Sequence, residues 1–461
     1  MKKSDLRIQK KGLEITIRGC NKITRDFISK IASYDAKSDA FCILPYNLPL
    51  LINFLSEHRV PYKSNVNLNF RMEDLELKLT VSLHPHQRKA LDAIVKKGYR
   101  GILVMPTGAG KTIIALAVIA KLQVKTLIVV PTIDLLYQWK GKLIQFLNLK
   151  ESNVGIYGGG EREIRDITVA TYQGASTERF LLKAIDFYGL IIFDEVHHLS
   201  SKKYSEIARR LVAPYRIGLT ATLDMEEKRK ETLEELVGNV LEVTEIDELI
   251  LEGYLADYEY KIIRVNMTKF EREKYLKAIK CYREYLQMEA PHLKGKEAYL
   301  FVIKKSKFDE YARRAIEGLR KAREIALFPK QKIITLESLL KKHREDKVLI
   351  FTRNVKTANM ISYIFAVPKI THDTPKSLRR KFLALFREGK LTKIVTAEVL
   401  DEGIDVPDAS VCIIISGRAS KRQLIQRIGR VLRPREGKKA IIYELITSSS
   451  LEEKIAAKRK K

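Results

Sequence analysis

Short runs of apolar residues alternate with helix-like segments between about residues 81 and 245. Few positions within these runs are polar, which is typical of strands that helices cover on both faces. The pattern predicts a parallel sheet wrapped by helices, an arrangement in which ligands bind at the carboxyl ends of the strands. The predicted strands are 101–105, 126–131, 166–171, 189–194 and 216–221.

A second region with the same pattern covers about residues 331–450. It contains a helix-like segment after Lys356, and no phosphate-binding loop follows any of its apolar runs. We therefore predict a second α/β unit without a nucleotide site of its own. Its predicted strands are 348–352, 393–397, 411–416 and 439–446.

The first 80 residues differ from both of these regions. Leu13, Ile15 and Ile17 alternate with polar neighbours, as in a half-buried strand. Segments 24–34 and 47–58 have helical patterns, and the apolar run 41–45 between them has the pattern of a strand. This part of the chain is predicted to form a small, separate α+β module.

Residues from about 258 to 330 form a long helical stretch rich in Lys, Arg, Glu and Tyr, with a break near 289–295. A solvated helical face is one interpretation. A nucleic-acid-gripping insertion is favoured, because aromatic rings can stack on bases while cations contact phosphates. The basic and aromatic residues are Lys274, Lys277, Lys280, Arg283, Lys304, Lys305, Lys307, Tyr275, Tyr282, Tyr285 and Tyr299.

The charge of the chain indicates its partner. The formal net charge is +29 over 461 residues, and the sequence pI is about 9.7. Such an excess is typical of proteins that bind a polyanion. A general thermophilic enrichment in Lys and Glu would leave the positive and negative charges nearly balanced, whereas the positive charges dominate in this chain. Nucleic acid is favoured over a membrane, since no apolar run approaches the roughly 20 residues of a spanning helix.

Cysteine usage indicates a reducing compartment. The four cysteines lie far apart without C-x-x-C spacing, which argues against an iron–sulfur cluster, a zinc ribbon or a disulfide framework. The amino terminus does not open a signal peptide. A cytoplasmic protein is expected, nucleoid-associated if prokaryotic. The cysteines are Cys20, Cys42, Cys281 and Cys412.

A phosphate-binding loop is predicted between the first strand of the 81–245 region and the helix that follows it. Its glycines let backbone N–H groups approach the phosphates, Lys111 reaches the β- and γ-phosphates, and the Thr112 hydroxyl ligates Mg²⁺. Met105 occupies the place of the usual leading glycine, but the position between a strand and a helix argues against a chance match. The chain is therefore predicted to bind a nucleoside triphosphate. The loop consists of Pro106, Thr107, Gly108, Ala109, Gly110, Lys111 and Thr112.

The second half of this predicted site follows the strand 189–194. Asp194 can hold Mg²⁺ through a water, and Glu195 can accept a proton from the water that attacks the γ-phosphate. The adjacent His197 and His198 are expected to make a poor metal pair, because neighbouring residues point apart on most backbones. His197 is interpreted as an internal coupling residue, and His198 is left unassigned. Upstream, the Gln87 amide both donates and accepts hydrogen bonds, which suits the adenine edge.

A basic segment of the second α/β unit contains candidate arginines. Arg430 and Arg433 are three residues apart and share one face of a helix. Guanidinium groups stabilise the charge that develops on a transferred γ-phosphate. Binding of nucleic-acid phosphates is the alternative. A role at the γ-phosphate is favoured, because the second α/β unit lacks a nucleotide site of its own. Its arginines would then complete the nucleotide site of the first unit.

Taken in order, these motifs resemble those of the superfamily 2 helicases, over about residues 81–446. Within the superfamily, VPTIDLLYQW, DEVHHL, GLTATL and VLDEGIDVPDA are similar to the XPB family, the DNA translocases of nucleotide excision repair and of transcription factor IIH. The compact layout resembles the archaeal members. The ordered set is Gln87, PTGAGKT (106–112), VVPT (129–132), VATYQ (169–173), DEVH (194–197), LTAT (219–222), LIFTR (349–353), TAEVLDEGIDVP (396–407) and QRIGRVLR (426–433).

The resemblance implies an α/β fold with two RecA-like parallel-sheet domains in tandem, a small N-terminal α+β domain similar to damage-recognition domains, and a helical thumb-like insertion. It also implies ATP and Mg²⁺ as cofactors, 3′-to-5′ polarity, double- and single-stranded DNA as partners and, for archaeal members, an endonuclease or other repair or transcription protein. The implied limits are 1–80 for the N-terminal domain, 81–257 and 331–450 for the RecA-like domains, 258–330 for the insertion and 451–461 for a basic tail.

The same resemblance implies roles for individual residues. Adenine is read by Gln87, and the residues near the nucleotide include Gly403 and Asp405. The ATPase centre consists of Lys111, Thr112, Asp194 and Glu195. The residues that sense the γ-phosphate are Gln426, Arg430 and Arg433. The DNA backbone is tracked by Thr132, Thr171, Arg353 and Thr396. The coupling residues are His197, Thr220 and Thr222.

The chain departs from the family pattern at Met225. The family carries an Arg-Glu-Asp element shortly after the Thr-Ala-Thr block, whereas this chain reads LDMEE over 223–227, with Met225 in place of the arginine. A thioether cannot brace a DNA strand through directed hydrogen bonds as a guanidinium can. The substitution is expected to affect strand separation more than ATP hydrolysis or DNA binding.

Three other functions are compatible with parts of the sequence. A DExH RNA helicase shares the motor motifs. A nuclease is suggested by Glu76-x-Lys78, with Asp35 or Asp39 as an upstream carboxylate, although Glu-x-Lys is frequent in so charged a chain. A non-hydrolysing DNA-binding module is the third, and the complete set of ATPase residues argues against it.

Overall fold

A computed structural model describes residues 6–73, 75–223, 225–244, 248–249, 258–397, 409–415, 440–453 and 456. The described residues divide into two compact units, one before and one after the gap at 250–257. Each unit contains a largely parallel sheet with helices, and the first also contains a small α+β module. The predicted fold class is confirmed.

The amino-terminal module is a five-stranded sheet with order β3-β4-β2-β1-β5. Its strands pair antiparallel, except that β5 runs parallel to β1. Ile15 and Ile17 are buried while Glu14 and Arg18 are exposed, which confirms the predicted alternation in this strand. The elements are β1 Leu6–Lys11, β2 Glu14–Arg18, α1 Lys22–Ile28, β3 Ala32–Asp35, β4 Ala40–Ile43, the 3-10 helix Pro45–Asn47, α2 Leu48–Glu57 and β5 Tyr62–Ser64.

This module packs against the α/β part of the first unit. Lys10 Nζ lies 2.6 Å from Asp186 Oδ2, and the same carboxylate oxygen accepts a 2.8 Å hydrogen bond from the backbone N–H of Asn67. The apolar core of the module includes Ile185 and Val212, which belong to the α/β part. The sheet formed by residues 6–64 is therefore distinct, but it belongs to the same compact unit as the first α/β sheet.

The first α/β sheet has eight strands among the described residues, in the order β13-β6-β12-β11-β7-β10-β8-β9. All neighbours pair parallel except the β8–β9 hairpin. The five predicted strands are confirmed, whereas β8, β9 and β13 are strands that were not predicted from the apolar runs. The strands are β6 Arg100–Val104, β7 Thr126–Val130, β8 Val154–Gly158, β9 Glu161–Arg162, β10 Ile167–Thr171, β11 Leu190–Asp194, β12 Tyr215–Thr220 and β13 Val240–Val243.

Helices connect these strands. Strands that are apolar at nearly every position form a sheet that is buried on both faces, and each face needs a covering layer of helices. Every residue of β7 and β10 is buried. The helices are α3 Pro85–Lys96, α4 Lys111–Leu122, α5 Ile133–Leu147, α6 Tyr172–Ala175, α7 Glu178–Ala184, α8 Lys202–Arg209 and α9 Glu227–Leu236, with 3-10 helices Glu151–Asn153 and Val196–Ser200.

The second unit contains a parallel sheet of six described strands in the order β14-β19-β18-β15-β17-β16. Its apolar core includes Val348, Ile350, Val395 and Ile413. The elements are β14 Tyr258–Val265, α10 Lys269–Glu289, α11 Gly295–Lys305, α12 Glu310–Leu327, α13 Lys330–Lys342, β15 Val348–Thr352, α14 Val355–Phe365, β16 Lys369–Ile370, α15 Lys376–Arg387, β17 Lys393–Ala397, β18 Val411–Ile414 and β19 Ala440–Thr447.

The predicted helical stretch 258–330 differs in its first part, because 258–265 is the strand β14. This strand pairs with β19 over its whole length, and a pairing partner so distant in the chain leaves no local signal. Helices α10, α11 and α12 then form a small layer of their own, with the predicted break at the end of α10. We call these three helices the helical insertion.

The helices of the insertion cross closely. A Cβ atom added at Gly318 of α12 would lie 2.4 Å from the carbonyl oxygen of Ala278 in α10, so only glycine fits there. Tyr275 and Tyr285 are buried between the helices. The prediction that these two tyrosines stack on bases is therefore wrong, since their rings are used in the core.

Candidate nucleotide-binding site

The candidate residues of the first unit lie at the carboxyl ends of adjacent parallel strands. The order of strands β6, β12, β11, β7 and β10 across the sheet sets the order of the residues along this edge. Such an edge is where open α/β sheets bind ligands. The residues are the loop 106–112 after β6, Thr220 at the end of β12 with Thr222 after it, Asp194 at the end of β11 with Glu195 after it, Thr132 after β7 and Thr171 at the end of β10.

The phosphate-binding loop includes the first two residues of helix α4, Lys111 and Thr112. Gly108 has φ 95° and Gly110 has φ 85°, a backbone conformation that favours glycine. Helix α4 begins at Lys111, so its first N–H groups and the positive end of its dipole face the loop. Lys111 Nζ donates to the carbonyl oxygen of Met105 over 2.7 Å, inside the curve of the loop. The geometry is that of an anion-binding cradle.

Gln87 lies directly against this cradle. Its Nε2 donates to the carbonyl oxygen of Ala109 over 3.2 Å, and its Oε1 accepts from the backbone N–H of His84 over 3.1 Å. His86 Nε2 lies 3.0 Å from the same Ala109 carbonyl. A Cβ atom added at Gly110 would lie 2.1 Å from Gln87 Nε2, so Gln87 and the loop are closely fitted.

Asp194 is the last residue of strand β11, and each of its carboxylate oxygens accepts one hydrogen bond. Trp139 Nε1 donates to Oδ2 over 2.8 Å, and the backbone N–H of Glu195 donates to Oδ1 over 3.0 Å. Burial raises the pKa of the Asp194 carboxyl and the nearby charge of Glu195 raises it further, while the Trp139 hydrogen bond and the charge of Lys111 lower it. The carboxylate is thus partly desolvated and held in one orientation.

Glu195 has a left-handed backbone conformation, with φ 49° and ψ 56°. This conformation is uncommon and costly for a residue other than glycine, and it clusters at functional sites. Glu195 Oε2 lies 3.4 Å from His197 Nδ1. The predicted proton acceptor and the predicted coupling residue are therefore neighbours.

Trp139 and Lys142 were missed by the sequence reasoning. Both lie on helix α5, where Trp139 contacts Asp194 and Lys142 Nζ donates to Thr112 Oγ1 over 3.4 Å. Their spacing places both on one side of the helix, but no local motif indicates what they contact, because Asp194 and Thr112 are 55 and 30 residues away in the chain.

Thr112 and Asp194 offer the oxygen atoms that Mg²⁺ prefers. One hydroxyl and one carboxylate suit a cation that keeps several waters and binds substrate phosphates in addition. A complete protein cage is absent: among the described residues, no group of three or more His, Cys, Asp or Glu side chains is placed to hold a metal ion. The residues present therefore fit Mg²⁺ brought with a nucleotide.

Thr132 and Thr171 cap the helices that follow two neighbouring strands. Thr132 Oγ1 accepts from the backbone N–H of Leu135 over 3.3 Å, and Thr171 Oγ1 accepts from that of Gly174 over 3.0 Å. Between the phosphate-binding loop and Asp194, Thr220 Oγ1 donates to the carbonyl oxygen of Thr222 over 2.8 Å. Thr222 Oγ1 is buried without a hydrogen-bond partner among the described residues.

The candidates in the second unit are only partly described. Arg353 follows strand β15 at its carboxyl end and is partly exposed. Thr396 lies inside strand β17 and is fully buried, so its side chain offers no DNA contact in this arrangement, contrary to the prediction. Strands β15 and β16 pair with β17 on its two sides, so Thr396 lies within the sheet. The other candidates, Gly403, Asp405, Gln426, Arg430 and Arg433, lie outside the described residues.

The candidate nuclease residues do not assemble. Glu76 and Lys78 pair with each other at 3.1 Å with side chains more than three-quarters exposed. Asp35 accepts a hydrogen bond from Ser38, and Asp39 accepts one from the hydroxyl of Tyr34.

None of the described helices is long and apolar enough to cross a membrane.

Comparison with known proteins identifies the class. Residues 80–225 match the family described as "Type III restriction enzyme, res subunit", and residues 331–435 match "Helicase conserved C-terminal domain". The fold is similar to the crystal structure of the Pyrococcus furiosus Hef helicase domain, with a TM-score of 0.53 at 18% identity, over 82% of this chain and 98% of that one. The chain thus contains the two helicase domains of superfamily 2 in tandem, and it is an ATP-hydrolysing enzyme of that superfamily.

Similar proteins identify the family. The chain is 37% identical to "DNA 3′-5′ translocase XPB2" of Sulfurisphaera tokodaii, over 83% of this chain and 86% of that protein. It is 32% identical to "Putative DNA 3′-5′ helicase Rad25" of Haloarcula marismortui and 30% identical to "DNA 3′-5′ helicase XPB" of Mycobacterium tuberculosis, each over 82% of this chain. It spans 54% and 63% of the lengths of these last two proteins. The chain belongs to the XPB family.

Proposed function

We propose that this chain is a DNA translocase or helicase that uses ATP hydrolysis, with Mg²⁺, to move on DNA or to open it, in nucleotide excision repair, in transcription, or in both. The observation that carries the proposal is the placement of the phosphate-binding loop, Asp194 and Glu195 at one sheet edge with Thr132 and Thr171. ATP-site residues and DNA-backbone candidates thus share one continuous edge, which suits coupling of hydrolysis to movement.

In the proposed ATP site, a few residues bind the phosphates, hold Mg²⁺, accept a proton and recognise adenine. The α4 amino terminus and Lys111 bind the phosphates, and Thr112 and Asp194 hold Mg²⁺. When bound, Mg²⁺ neutralises the charge of the β- and γ-phosphates. Glu195 accepts the proton of the attacking water, and Gln87 reads adenine after exchanging its hydrogen bond to Ala109 for one to the base.

The γ-phosphate sensors are proposed from the second α/β unit. Arg430 and Arg433 carry the permanent, planar charge that stabilises a transferred phosphoryl group, and Gln426 accompanies them. Gly403 and Asp405 are proposed to lie near the nucleotide. These assignments rest on the sequence and on the family, since the residues lie outside the described part of the chain.

DNA is proposed to contact residues that can present polar groups to a phosphate. Thr132 and Thr171 lie where backbone N–H groups of helix amino termini converge, and Arg353 presents a partly exposed guanidinium. Contacts of this kind hold the backbone and carry no sequence information. His197, Thr220 and Thr222 are proposed to couple this edge to the nucleotide.

The helical insertion provides a second proposed DNA contact. Lys304, Lys305 and Lys307 are exposed at the turn between α11 and α12, and Phe308 beside them is 92% exposed. Cations with an exposed ring suit phosphates and an unstacked base. This turn replaces the buried tyrosines as the proposed stacking position.

The side chain at position 225 is relevant to whether the protein separates DNA strands or only moves along duplex DNA. The Met225 side chain is partly buried and packs against the apolar core of the first α/β part, next to helix α9. A side chain used in packing cannot brace a DNA strand with hydrogen bonds. We propose that the protein translocates on duplex DNA or remodels it better than it unwinds long duplexes unaided.

The decisive experiment compares ATPase rates with double-stranded DNA, single-stranded DNA and RNA, with strand displacement measured on the same substrates. Stimulation by duplex DNA with 3′-to-5′ movement is expected. Stimulation by RNA alone would instead favour the RNA helicase. Pull-down of an endonuclease, or of another repair or transcription protein, tests the proposed partners.

A further inference from the structure

Helix α5 contacts both side chains proposed to hold Mg²⁺. Trp139 Nε1 donates to Asp194 Oδ2 over 2.8 Å, and Lys142 Nζ donates to Thr112 Oγ1 over 3.4 Å. Residues three apart on a helix are neighbours on its surface, with about 5–6 Å between their Cβ atoms. Thr112 and Asp194 therefore reach adjacent points of one helix face, although they follow different strands of the sheet.

The Trp139 hydrogen bond fixes the orientation of the Asp194 carboxylate. The other carboxylate oxygen is held by the backbone N–H of Glu195 at 3.0 Å, so the two donors lie on different oxygens. A carboxylate has about four lone-pair positions, which leaves each oxygen able to accept a water or to face a cation. Without the indole, only the backbone donor would hold the group, and the carboxylate plane could turn.

The indole is itself held in place by packing. Trp139 is 2% exposed and lies on the buried face of α5 with Leu136 and Leu143. A large ring buried in a close-packed interior has few alternative orientations. The hydrogen-bond donor is thus presented to Asp194 at a constant position before any nucleotide arrives.

We infer that Trp139 is a positioning residue of the Mg²⁺ site, which orients Asp194 through its indole N–H. This inference rests on the proposed role of Asp194 in holding Mg²⁺. Partners that orient metal-binding carboxylates typically change metal affinity or activity by about 10–100-fold when they are removed. Trp139 acts through Asp194, and the ring contributes packing as a separate effect.

The test is the Trp139→Phe substitution, which removes the N–H donor and keeps an aromatic ring. We expect the MgCl₂ concentration that half-saturates binding of a fluorescent ADP analogue to rise by about 10-fold or more. Binding of the same analogue in EDTA should not change, since the phosphate-binding loop is intact. A melting temperature measured on each variant separates loss of orientation from loss of packing.

Tyr137→Phe is the matched control. It also removes a donor from an aromatic side chain of α5, but the Tyr137 hydroxyl donates to Glu161, away from the metal site, over 2.5 Å. Its half-saturating MgCl₂ concentration should equal that of the unmodified chain. Equal shifts in both variants would show a general effect on the helix and overturn the inference.

A second measurement needs no substitution at position 139. The chain contains one tryptophan, so all tryptophan emission reports on this indole. Addition of MgCl₂ with ADP should change the emission, and Asp194→Asn should abolish the change. A change of the same size in Asp194→Asn would contradict the inference.

Asp194→Asn also separates the inference from the proposed function. If this variant raises the half-saturating MgCl₂ concentration and Trp139→Phe does not, the inference fails and the proposed metal role stands. If Asp194→Asn leaves the MgCl₂ dependence unchanged, the proposed metal role itself fails.

Discussion

Glu195 Oε2 lies 3.4 Å from Nδ1 of His197, two residues further along the chain. The left-handed backbone of Glu195 and the 3-10 helix Val196–Ser200 that follows it produce this approach. The Glu195 carboxylate, which is proposed to accept the proton of water, therefore lies beside His197, which is proposed to couple the sheet edge to the nucleotide. A change at either residue should have a distinct effect on hydrolysis.

Glu195→Gln should leave ATP binding nearly intact and abolish turnover, because only the proton-accepting carboxylate is lost. Binding of a fluorescent ATP analogue and steady-state ATPase rates measure the two effects. Lys111→Ala is the comparison, since it should weaken binding as well as turnover. A Glu195→Gln variant with the unmodified rate would show that another group accepts the proton.

His197→Ala should retain most of the ATPase rate without DNA and lose much of the stimulation by DNA, because His197 lies beside the acceptor carboxylate and is not among the residues proposed to bind the phosphates. The ratio of rates with and without duplex DNA is the measurement. His198→Ala is the control, since the His198 ring lies 4.3 Å from that of His197 and 5.6 Å from that of Tyr172, and His198 has no proposed role in coupling. The same loss in both variants would assign the effect to the local fold.

Arg430→Ala and Arg433→Ala should each reduce DNA-stimulated hydrolysis by roughly 10³-fold or more, as the loss of arginine fingers does, with a smaller change in ATP affinity. Pre-steady-state hydrolysis and ATP binding measure these effects. Normal hydrolysis combined with weaker DNA binding would instead identify the two arginines as contacts to the DNA backbone.

Charge reversal of Lys304, Lys305 and Lys307 to Glu should weaken binding to all DNA sequences alike and flatten its salt dependence, because fewer counterions are released. Affinity measured over a series of salt concentrations tests this. A triple reversal of the exposed cations at 341, 342 and 344 is the control for net charge, since these residues lie at the carboxyl end of α13 and in the turn before β15, outside the helical insertion. Equal effects of both triple variants would refute a specific contact at the turn.

Met225→Arg should increase strand separation more than it increases ATPase activity, because a guanidinium restores directed hydrogen bonds to a strand or to a neighbouring segment. Met225→Gln matches the side-chain length without the charge, and it controls for the loss of packing against the core. Displacement of a third strand from duplex DNA should already be efficient in the unmodified chain. Efficient unwinding of long duplexes by that chain alone would contradict the prediction.

The sequence by itself predicted the elements whose signals are local. Apolar runs such as 126–131 and 189–194 became strands, because a strand covered on both faces must be apolar at nearly every position. The phosphate-binding loop could be recognised because its glycines and Lys111 are adjacent in the chain, and a positive φ at Gly108 and Gly110 requires that residue type.

The tertiary structure decided the features that depend on residues far apart in the chain. Strand β14 exists because it pairs with β19, and the tyrosines at 275 and 285 turned out to be core residues because two helices close over them. The contact between Trp139 and Asp194 joins residues 55 positions apart. Periodicity and composition describe one segment at a time, whereas burial and hydrogen bonding depend on which segments pack together, and that depends on the whole fold.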